Sequence, residues 1–208
     1  MTDEFLSAVE ANREEFGIEL SPDHSRQLAD YYEFLVSKNE RLHLVAPCSP
    51  EEFAVRHVLE SLFVTDRISP RRMVVDVGSG GGLPGLPIAI VRKDLTTILI
   101  ESKEKKSTFL EAAVTKLGIG ERVKVVNKQF AESYARQDAI IVSRALDKFT
   151  NVLPRLLKWA AGRRCILFGG PSLEEALAES KVSFERDLIP MSERRFVFDI
   201  GPTRKRVG

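Results

Sequence analysis

The sequence predicts an α/β protein in which a helical N-terminal extension precedes a mostly parallel seven-stranded sheet with a C-terminal antiparallel hairpin. Residues 1–70 show helical periodicity and no strand pattern. After Pro70, short β-branched runs alternate with helical segments, which is typical of a doubly wound parallel sheet. The runs are almost continuously apolar, as expected for strands that are covered on both faces.

The N-terminal extension, residues 1–70, is expected to contain three helices. Gly17 is a suitable residue to end the first helix. Ser21 and Ser49 each precede a proline, and this serine–proline pair is a typical helix start. Glu52 should complete a capping box with Ser49. The predicted helices span residues 3–16, 22 to about 38, and 50 to about 64.

Residues 71–208 form the second predicted unit, a sheet domain. Five apolar runs predict strands at residues 73–77, 96–100, 123–126, 139–142 and 164–168. Helical patterns occupy residues 86–92, 103–117, 149–160 and 173–180. The last two strand-like segments, 183–189 and 195–200, are joined by a connection that is too short for a parallel crossover, so they predict the antiparallel hairpin.

The composition is that of an ordinary soluble protein, with 43% hydrophobic and 29% charged residues among 208. No apolar run approaches the roughly 18 residues that cross a bilayer, and the acidic N-terminus lacks the apolar stretch of a signal peptide. Cys48 and Cys165 lie far apart, so we expect reduced thiols and no metal site. The expected protein is a cytoplasmic monomer that binds neither a membrane nor DNA.

The two predicted units carry opposite net charges. Residues 1–70 hold 6 Lys and Arg against 14 Asp and Glu, a net charge of −8, whereas residues 71–208 hold 25 against 16, a net charge of +9. This asymmetry favours a polyanionic partner for the basic unit. Charge alone leaves open the alternative of a solvated surface with an uneven charge distribution.

A glycine block follows the first predicted strand, where residues 76–85 are DVGSGGGLPG. Glycines allow a tight strand–helix turn and a close approach of a ligand to the backbone, and ligands of parallel sheets bind at the carboxyl ends of the strands. The block matches G-x-G-x-x-G, which would favour a dinucleotide. Asp76 gives it the D-x-G-x-G-x-G arrangement of S-adenosylmethionine sites, and Pro84 and Pro87 crowd a helix start that a pyrophosphate needs open. We therefore favour S-adenosyl-L-methionine as the cofactor.

Acidic residues follow the next two predicted strands. Glu101 comes directly after the second strand, where its carboxylate could accept both ribose hydroxyls of a nucleoside. Dinucleotide enzymes use the same device, so Glu101 favours an adenosine ligand without choosing between the two cofactors. Ala131 and Glu132 follow the third strand and could border an adenine, or they could belong to a surface loop.

Four segments together resemble one family of bacterial enzymes. They are RHVLES (56–61), DVGSGGGLPGLPIAI (76–90), LIES (99–102) and IVSRAL (141–146). The chain resembles the RsmG (GidB, glucose-inhibited division protein B) family over about residues 20–200. These are class I, Rossmann-like methyltransferases that use S-adenosyl-L-methionine to modify guanine N7 in 16S ribosomal RNA. The resemblance implies this activity, with 16S ribosomal RNA or the small ribosomal subunit as partner.

The resemblance also implies roles for individual residues. Gly78 and Leu83 would border the methionine part of the cofactor, and Glu101 would hold the ribose. Arg144 would lie beside the methyl group and the target base, as the catalytic residue. Many members carry a lysine where this chain has Gly169. The predicted cofactor-binding residues are Asp76, Gly78, Ser79, Gly80, Gly82, Leu83, Glu101, Ala131, Glu132 and Arg144.

The implied chemistry needs no general base, because N7 of neutral guanine already carries a free lone pair. The enzyme must supply proximity, orientation and a suitable electrostatic setting. Arg144 could hold guanine O6 or a neighbouring phosphate, or it could pair with an acid. For His57 we expect a structural, hydrogen-bonded role.

RNA binding is expected to be mainly electrostatic. The favoured contacts are the tail at Arg204, Lys205 and Arg206, the pair Arg194 and Arg195, and the cluster at residues 103–106. Three other functions stay open from the sequence: a methyltransferase of the same fold that acts on a small molecule or protein, a non-catalytic RNA-binding module, and an NAD-linked oxidoreductase.

Overall fold

A computed structural model describes residues 1–144 and 149–202 of the chain, without the side chains of Phe149 and Thr150. Its strands are β1 Met73–Val77, β2 Thr96–Ile100, β3 Val123–Val126, β4 Ile140–Arg144, β5 Arg164–Gly169, β6 Glu185–Leu188 and β7 Phe196–Ile200. They form one sheet in the order β3-β2-β1-β4-β5-β7-β6. The first five strands pair in parallel, and β7 lies antiparallel to both β5 and β6. The predicted parallel sheet with its terminal hairpin is confirmed.

The α-helices of the described residues follow the predicted positions closely. They are α1 Thr2–Asn12, α2 Pro22–Leu42, α3 Pro50–Phe53, α4 Glu60–Leu62, α5 Gly85–Val91, α6 Glu104–Lys116, α7 Phe149–Trp159 and α8 Pro171–Glu179. Helix α2 extends beyond the predicted residue 38, because the polar residues of its last turn also favour helix. The third predicted helix is interrupted, since a π-helical segment, Ala54–Leu59, joins α3 to α4. No α-helix of the part described is long and apolar enough to cross a bilayer.

The predicted serine caps begin their helices as expected. The Ser21 hydroxyl accepts the N–H of His24, and the Ser49 hydroxyl accepts the N–H of Glu52. The predicted capping box at Glu52 is wrong, because the Glu52 carboxylate pairs with Arg56 one turn further along. An arginine at i+4 thus takes the carboxylate that the box would have used.

Two hydrophobic clusters cover the two faces of the sheet. Successive residues of a strand point to opposite faces, and Val74 and Val75 of β1 accordingly belong to different clusters. One cluster includes α5, α6 and the buried residues of the N-terminal helices, and the other includes α7 and α8. The helices of residues 1–70 therefore share a core with the sheet, while the division of the chain at residue 70 stays a prediction.

The carboxyl ends of β1, β2 and β4 meet at one edge of the sheet. Val77 at the end of β1 lies in register with Ile100 at the end of β2. Strand β4 lies on the other side of β1 and ends at Arg144. The glycine block, Glu101 and Arg144 therefore emerge side by side, although they are far apart in the sequence.

Candidate functional site

A cavity of about 440 Å³ lies at this edge of the sheet. Its volume falls within the range of roughly 300–1,000 Å³ that is usual for small-molecule sites. The cavity is lined by the glycine block, the ends of β2 and β4, the segment after β3, and residues 44–46 and 57 of the N-terminal extension. All four sequence segments of the resemblance thus contribute to one site.

The glycine block folds as a loop that is held against β2. The N–H groups of Gly78 and Ser79 both donate to the carbonyl of Ile100, at 2.9 and 3.1 Å. Gly82 has a φ of 95°, and a Cβ there would lie 2.4 Å from Cδ1 of Leu86. Only glycine allows this backbone conformation together with the close packing of α5. Gly78, Gly80 and Gly81 line the cavity without side chains, so the loop presents backbone there.

Asp76 lies behind the glycine loop and is fully buried. Its Oδ2 accepts the N–H of Gly85 at 3.0 Å, and a Cβ on Gly85 would come within 2.7 Å of the same oxygen. Burial raises the pKa of Asp76 to about 7. The side chain is not among the cavity-lining residues, so in this structure Asp76 supports the loop from the sheet side.

Glu101 lies at the rim of the cavity with a carboxylate that is already oriented. Its Oε2 accepts the N–H of Gly80 at 2.9 Å, and its Oε1 accepts the N–H of Lys103 at 2.7 Å. The residue is 6% exposed. Each carboxylate oxygen has a second acceptor position, so the group can still accept hydroxyls from a ligand in the cavity.

The segment after β3 reaches the cavity with residues other than those predicted. Ala131 and Glu132 are exposed and do not line it, whereas residues 128–130 do. Phe130 is 7% exposed and packs edge-on against Trp159, with ring centroids 5.7 Å apart. An aromatic residue a few positions after the third strand was the available signal that this segment borders the cavity.

The structure thus separates the predicted cofactor-binding residues into two groups. Those lining the cavity are Gly78, Ser79, Gly80, Leu83, Glu101 and Arg144. Those outside the lining are Asp76, Gly82, Ala131 and Glu132. Their roles toward a cofactor stay predictions.

Arg144 lines the cavity and is also part of a buried ion cluster. Its Nη2 lies 3.1 Å from Oε2 of Glu60, and Nε of Arg195 donates to Oε1 of Glu60 at 2.6 Å. Burial raises the pKa of Glu60, and the two arginines oppose that shift. The Arg144 side chain is 13% exposed, and its Nη1 has no hydrogen-bond partner among the described residues. Arg144 therefore pairs with an acid and also faces the cavity.

His57 belongs to the π-helical segment and lines the cavity beside Arg144. Burial and the nearby Arg144 charge lower its pKa to about 3, so the imidazole is neutral near pH 7. Its ring packs against Phe53, with centroids 5.1 Å apart. Its Nδ1 is buried and has no hydrogen-bond partner in the part of the chain described, and the expected structural role of His57 stays a prediction.

The N-terminal extension supports the site in a way that the sequence analysis missed. The hydroxyl of Tyr31, on α2, donates to the carbonyl of Gly81 at 2.7 Å. Tyr31 is fully buried, and burial raises the pKa of its phenol. Tyr31 lies in the apolar stripe of α2, so its periodicity indicated only a core position. The extension is thus bonded to the cofactor loop.

Some basic residues that were expected to contact RNA have other surroundings in the structure. Arg195 donates to Glu60. Lys103 and Lys106 line the cavity. The predicted tail contacts at Arg204, Lys205 and Arg206 lie outside the described residues. At Gly169, a Cβ would lie 2.5 Å from Leu173 of α8, so a lysine there would require Leu173 to move.

Comparisons with known proteins agree with this geometry. Residues 24–192 match the family model described as rRNA small subunit methyltransferase G (GidB). The chain is 36% identical over 153 residues to the ribosomal RNA small subunit methyltransferase G of Neisseria meningitidis serogroup A, covering 70% of this chain and 73% of that protein. For the protein of the same name from Sorangium cellulosum the identity is 32% over 173 residues, with coverage of 79% and 72%.

Solved structures show the same fold at low identity. A putative S-adenosyl-L-methionine-dependent methyltransferase from Methanococcus maripaludis has a TM-score of 0.60 at 13% identity, covering 92% of this chain and 98% of that one. An S-adenosylmethionine-dependent O-methyltransferase from Thermotoga maritima has a TM-score of 0.54 at 15% identity, with coverage of 83% and 72%. The predicted Rossmann-like methyltransferase fold is confirmed.

Proposed function

Because the chain belongs to the rRNA small subunit methyltransferase G family, we propose that this cavity transfers a methyl group from S-adenosyl-L-methionine to N7 of a guanine in 16S ribosomal RNA. The protein is an S-adenosyl-L-methionine-dependent methyltransferase of small-subunit ribosomal RNA. The observation that carries the proposal is the meeting of the glycine loop, Glu101 and Arg144 in one cavity. The expected monomeric state and cytoplasmic location stay predictions.

The residues of the cofactor side, defined as the glycine loop with Glu101, fit an adenosine-containing cofactor. Two backbone N–H groups orient the Glu101 carboxylate, and its remaining acceptor positions suit a ribose diol. Ile100 and Phe130 add apolar wall on which an adenine can lie. The cofactor supplies an electrophilic methyl group on a sulfonium. The glycines leave room for it, because no Cβ projects from Gly78 or Gly80.

The acceptor side, defined as Arg144, Glu60 and His57, fits a guanine that loses no proton before it is methylated. N7 attacks with its own lone pair, so no residue must remove a proton first. Arg144 Nη1 has no hydrogen-bond partner among the described residues and suits the O6 of guanine, and Nη2 pairs with Glu60. A neutral His57 adds no positive charge that would repel the methyl donor. Orientation is then the main contribution of these residues to the rate.

The proposal is tested by methylating small ribosomal subunits, and separately deproteinised 16S ribosomal RNA, with methyl-labelled cofactor. The labelled RNA is digested to nucleosides and the modified nucleoside is identified by mass. We expect the label in 7-methylguanosine at one position, and little label with Arg144→Ala. Label in another nucleoside would contradict the N7 assignment. Label only in protein, or binding of NAD in place of S-adenosylhomocysteine, would contradict the RNA methylation itself.

A further inference from the structure

A second cavity, of about 430 Å³, lies between α2 and α6; we name it the α2–α6 groove. Its floor is apolar and includes Phe34 and Phe109, whose rings stack with centroids 5.4 Å apart and planes 11° from parallel. Its rim carries three cationic side chains, those of Lys38, Arg41 and Lys105. The groove therefore combines an aromatic surface with positive charge.

The cations of this groove differ from the other cations of the acidic extension. Residues 1–70 hold six Lys and Arg, and four of them pair with carboxylates, namely Arg13, Arg26, Arg56 and Arg67. The remaining two are Lys38 and Arg41. Within residues 1–144 and 149–202, neither of them nor Lys105 has an acidic partner.

The aromatic floor is partly open to a ligand. Phe34 is half-buried, and the ammonium of Lys38 lies 5.7 Å from its ring centroid. Lys105 and Arg41 are exposed on the two sides of the groove. Two cations of the acidic extension and one of α6 thus surround one apolar floor without an acidic partner among the described residues. This arrangement suits an anionic ligand that also carries flat apolar groups.

The groove is next to the catalytic cavity. The chain enters the groove with Arg41 and Leu42 and enters the catalytic cavity with residues 44–46. On the other side, Lys105 faces the groove while Lys103 and Lys106 line the cavity. Neighbouring residues of the same two segments therefore border both cavities.

We propose that the α2–α6 groove binds a single-stranded stretch of the substrate RNA next to the target guanine. The cations Lys38, Arg41 and Lys105 contact its phosphates, and a base lies against the floor around Phe34. Single strands suit this surface, because only unpaired bases are free to lie on an apolar or aromatic platform. The inference rests on the proposed function, and it assigns RNA binding to the acidic part of the chain.

The test is the salt dependence of binding to deproteinised 16S ribosomal RNA, measured for the wild type and for the triple variant Lys38→Gln, Arg41→Gln and Lys105→Gln. Loss of three phosphate contacts should flatten the slope of log K against log salt by about 2, since each contact on a single strand contributes roughly 0.7. The matched control replaces three exposed lysines outside the groove, Lys116, Lys124 and Lys158, with glutamine. We expect the control slope to stay closer to that of the wild type.

Three outcomes would overturn the groove assignment, and each is distinct from failure of the proposed function. One is an RNA slope in the triple variant equal to that of the control. The second is normal binding of naked RNA by the triple variant with impaired methylation of assembled subunits only, which would assign the groove to a ribosomal protein. The third is a flatter RNA slope together with an equal loss of affinity for S-adenosylhomocysteine, which would assign the three cations to the cofactor site and not to RNA. If the wild type methylates no RNA, the proposed function itself fails.

Discussion

On the cofactor side of the cavity, Glu101 is held by the backbone N–H groups of Gly80 and Lys103, whereas on the acceptor side Arg144 is held by the carboxylate of Glu60. The first arrangement uses the ends of two adjacent strands. The second joins the N-terminal extension, β4 and the segment before β7 through buried charges. The cofactor side is thus fixed by local backbone geometry, and the acceptor side by long-range electrostatics.

This difference has a consequence for mutational sensitivity. Two buried acids, Asp76 and Glu60, occupy comparable positions on the two sides. Asp76 meets one neutral N–H group, so its negative charge is not needed there. Glu60 meets two guanidinium groups, so its charge is needed. The same acid-to-amide change is therefore expected to lower the stability of the fold at Glu60 and to raise it, above about pH 7, at Asp76.

The largest effect on folding is expected for Glu60→Gln. The change leaves Arg144 buried without a compensating charge, and removal of one partner of a buried pair costs roughly 3 kcal/mol in the free energy of unfolding. Methylation should also slow, because the guanidinium loses the group that orients it. Denaturant unfolding and single-turnover methylation measure the two losses.

Glu52→Gln is the matched control for this variant. Glu52 also pairs with an arginine, Arg56, but the side chains of that pair are 39% and 46% exposed. Exposed pairs contribute at most about 1 kcal/mol. If Glu60→Gln destabilised the protein no more than Glu52→Gln, the electrostatic account of the acceptor side would be wrong.

The next effect is expected for Glu101→Ala, on cofactor affinity. Loss of hydrogen bonds to a charged group costs roughly 1.5–3 kcal/mol, which corresponds to about 10–150-fold in affinity. Titration with S-adenosylhomocysteine measures it, with circular dichroism as the check of the fold. Glu104→Ala, at an exposed acid on the following helix, should bind the cofactor normally. Unchanged affinity in a folded Glu101→Ala would remove Glu101 from the cofactor site.

The smallest effect is expected for Asp76→Asn, as a change in the pH dependence of stability. Burial raises the pKa of Asp76 to about 7, so the folded state favours the protonated acid. That contribution is complete below the unfolded pKa of about 4 and is lost as the pH rises through about 7. Stability of the wild type should therefore fall relative to the variant by roughly 1 kcal/mol or more between about pH 5 and about pH 8. Parallel curves for the two proteins would contradict this.

The same contrast explains which parts of the molecule could be predicted from the sequence. The glycine loop and Glu101 come immediately after apolar strands in the sequence, so local patterns were sufficient to locate both. Strand β4 was predicted to end at residue 142. It continues to Arg144 because the Ser143 hydroxyl donates to the Val77 carbonyl and because Ser143 and Arg144 pair with β5. No local sequence pattern reveals these contacts.

Two of the missed contributions, those of Glu60 and Tyr31, come from the N-terminal extension. Glu60 lies on a helix among charged and apolar residues, and its partners on β4 and before β7 are distant in the sequence. Tyr31 has the periodicity of a core residue, and its bond to Gly81 depends on how α2 packs. Helical periodicity indicates which face is buried. It does not indicate which distant backbone group a buried hydroxyl will meet.

We infer that one side of the cavity governs cofactor binding and the other governs the rate. Single-turnover methylation of 16S ribosomal RNA at saturating cofactor separates these two effects. Glu101→Ala should recover nearly the wild-type rate, because excess cofactor compensates for weak binding. Arg144→Ala should stay slower by roughly 100-fold or more, since a misplaced acceptor is not corrected by cofactor, and Arg144→Lys should restore little because lysine lacks the planar fork. Equal rates for Glu101→Ala and Arg144→Ala under these conditions would contradict the claim.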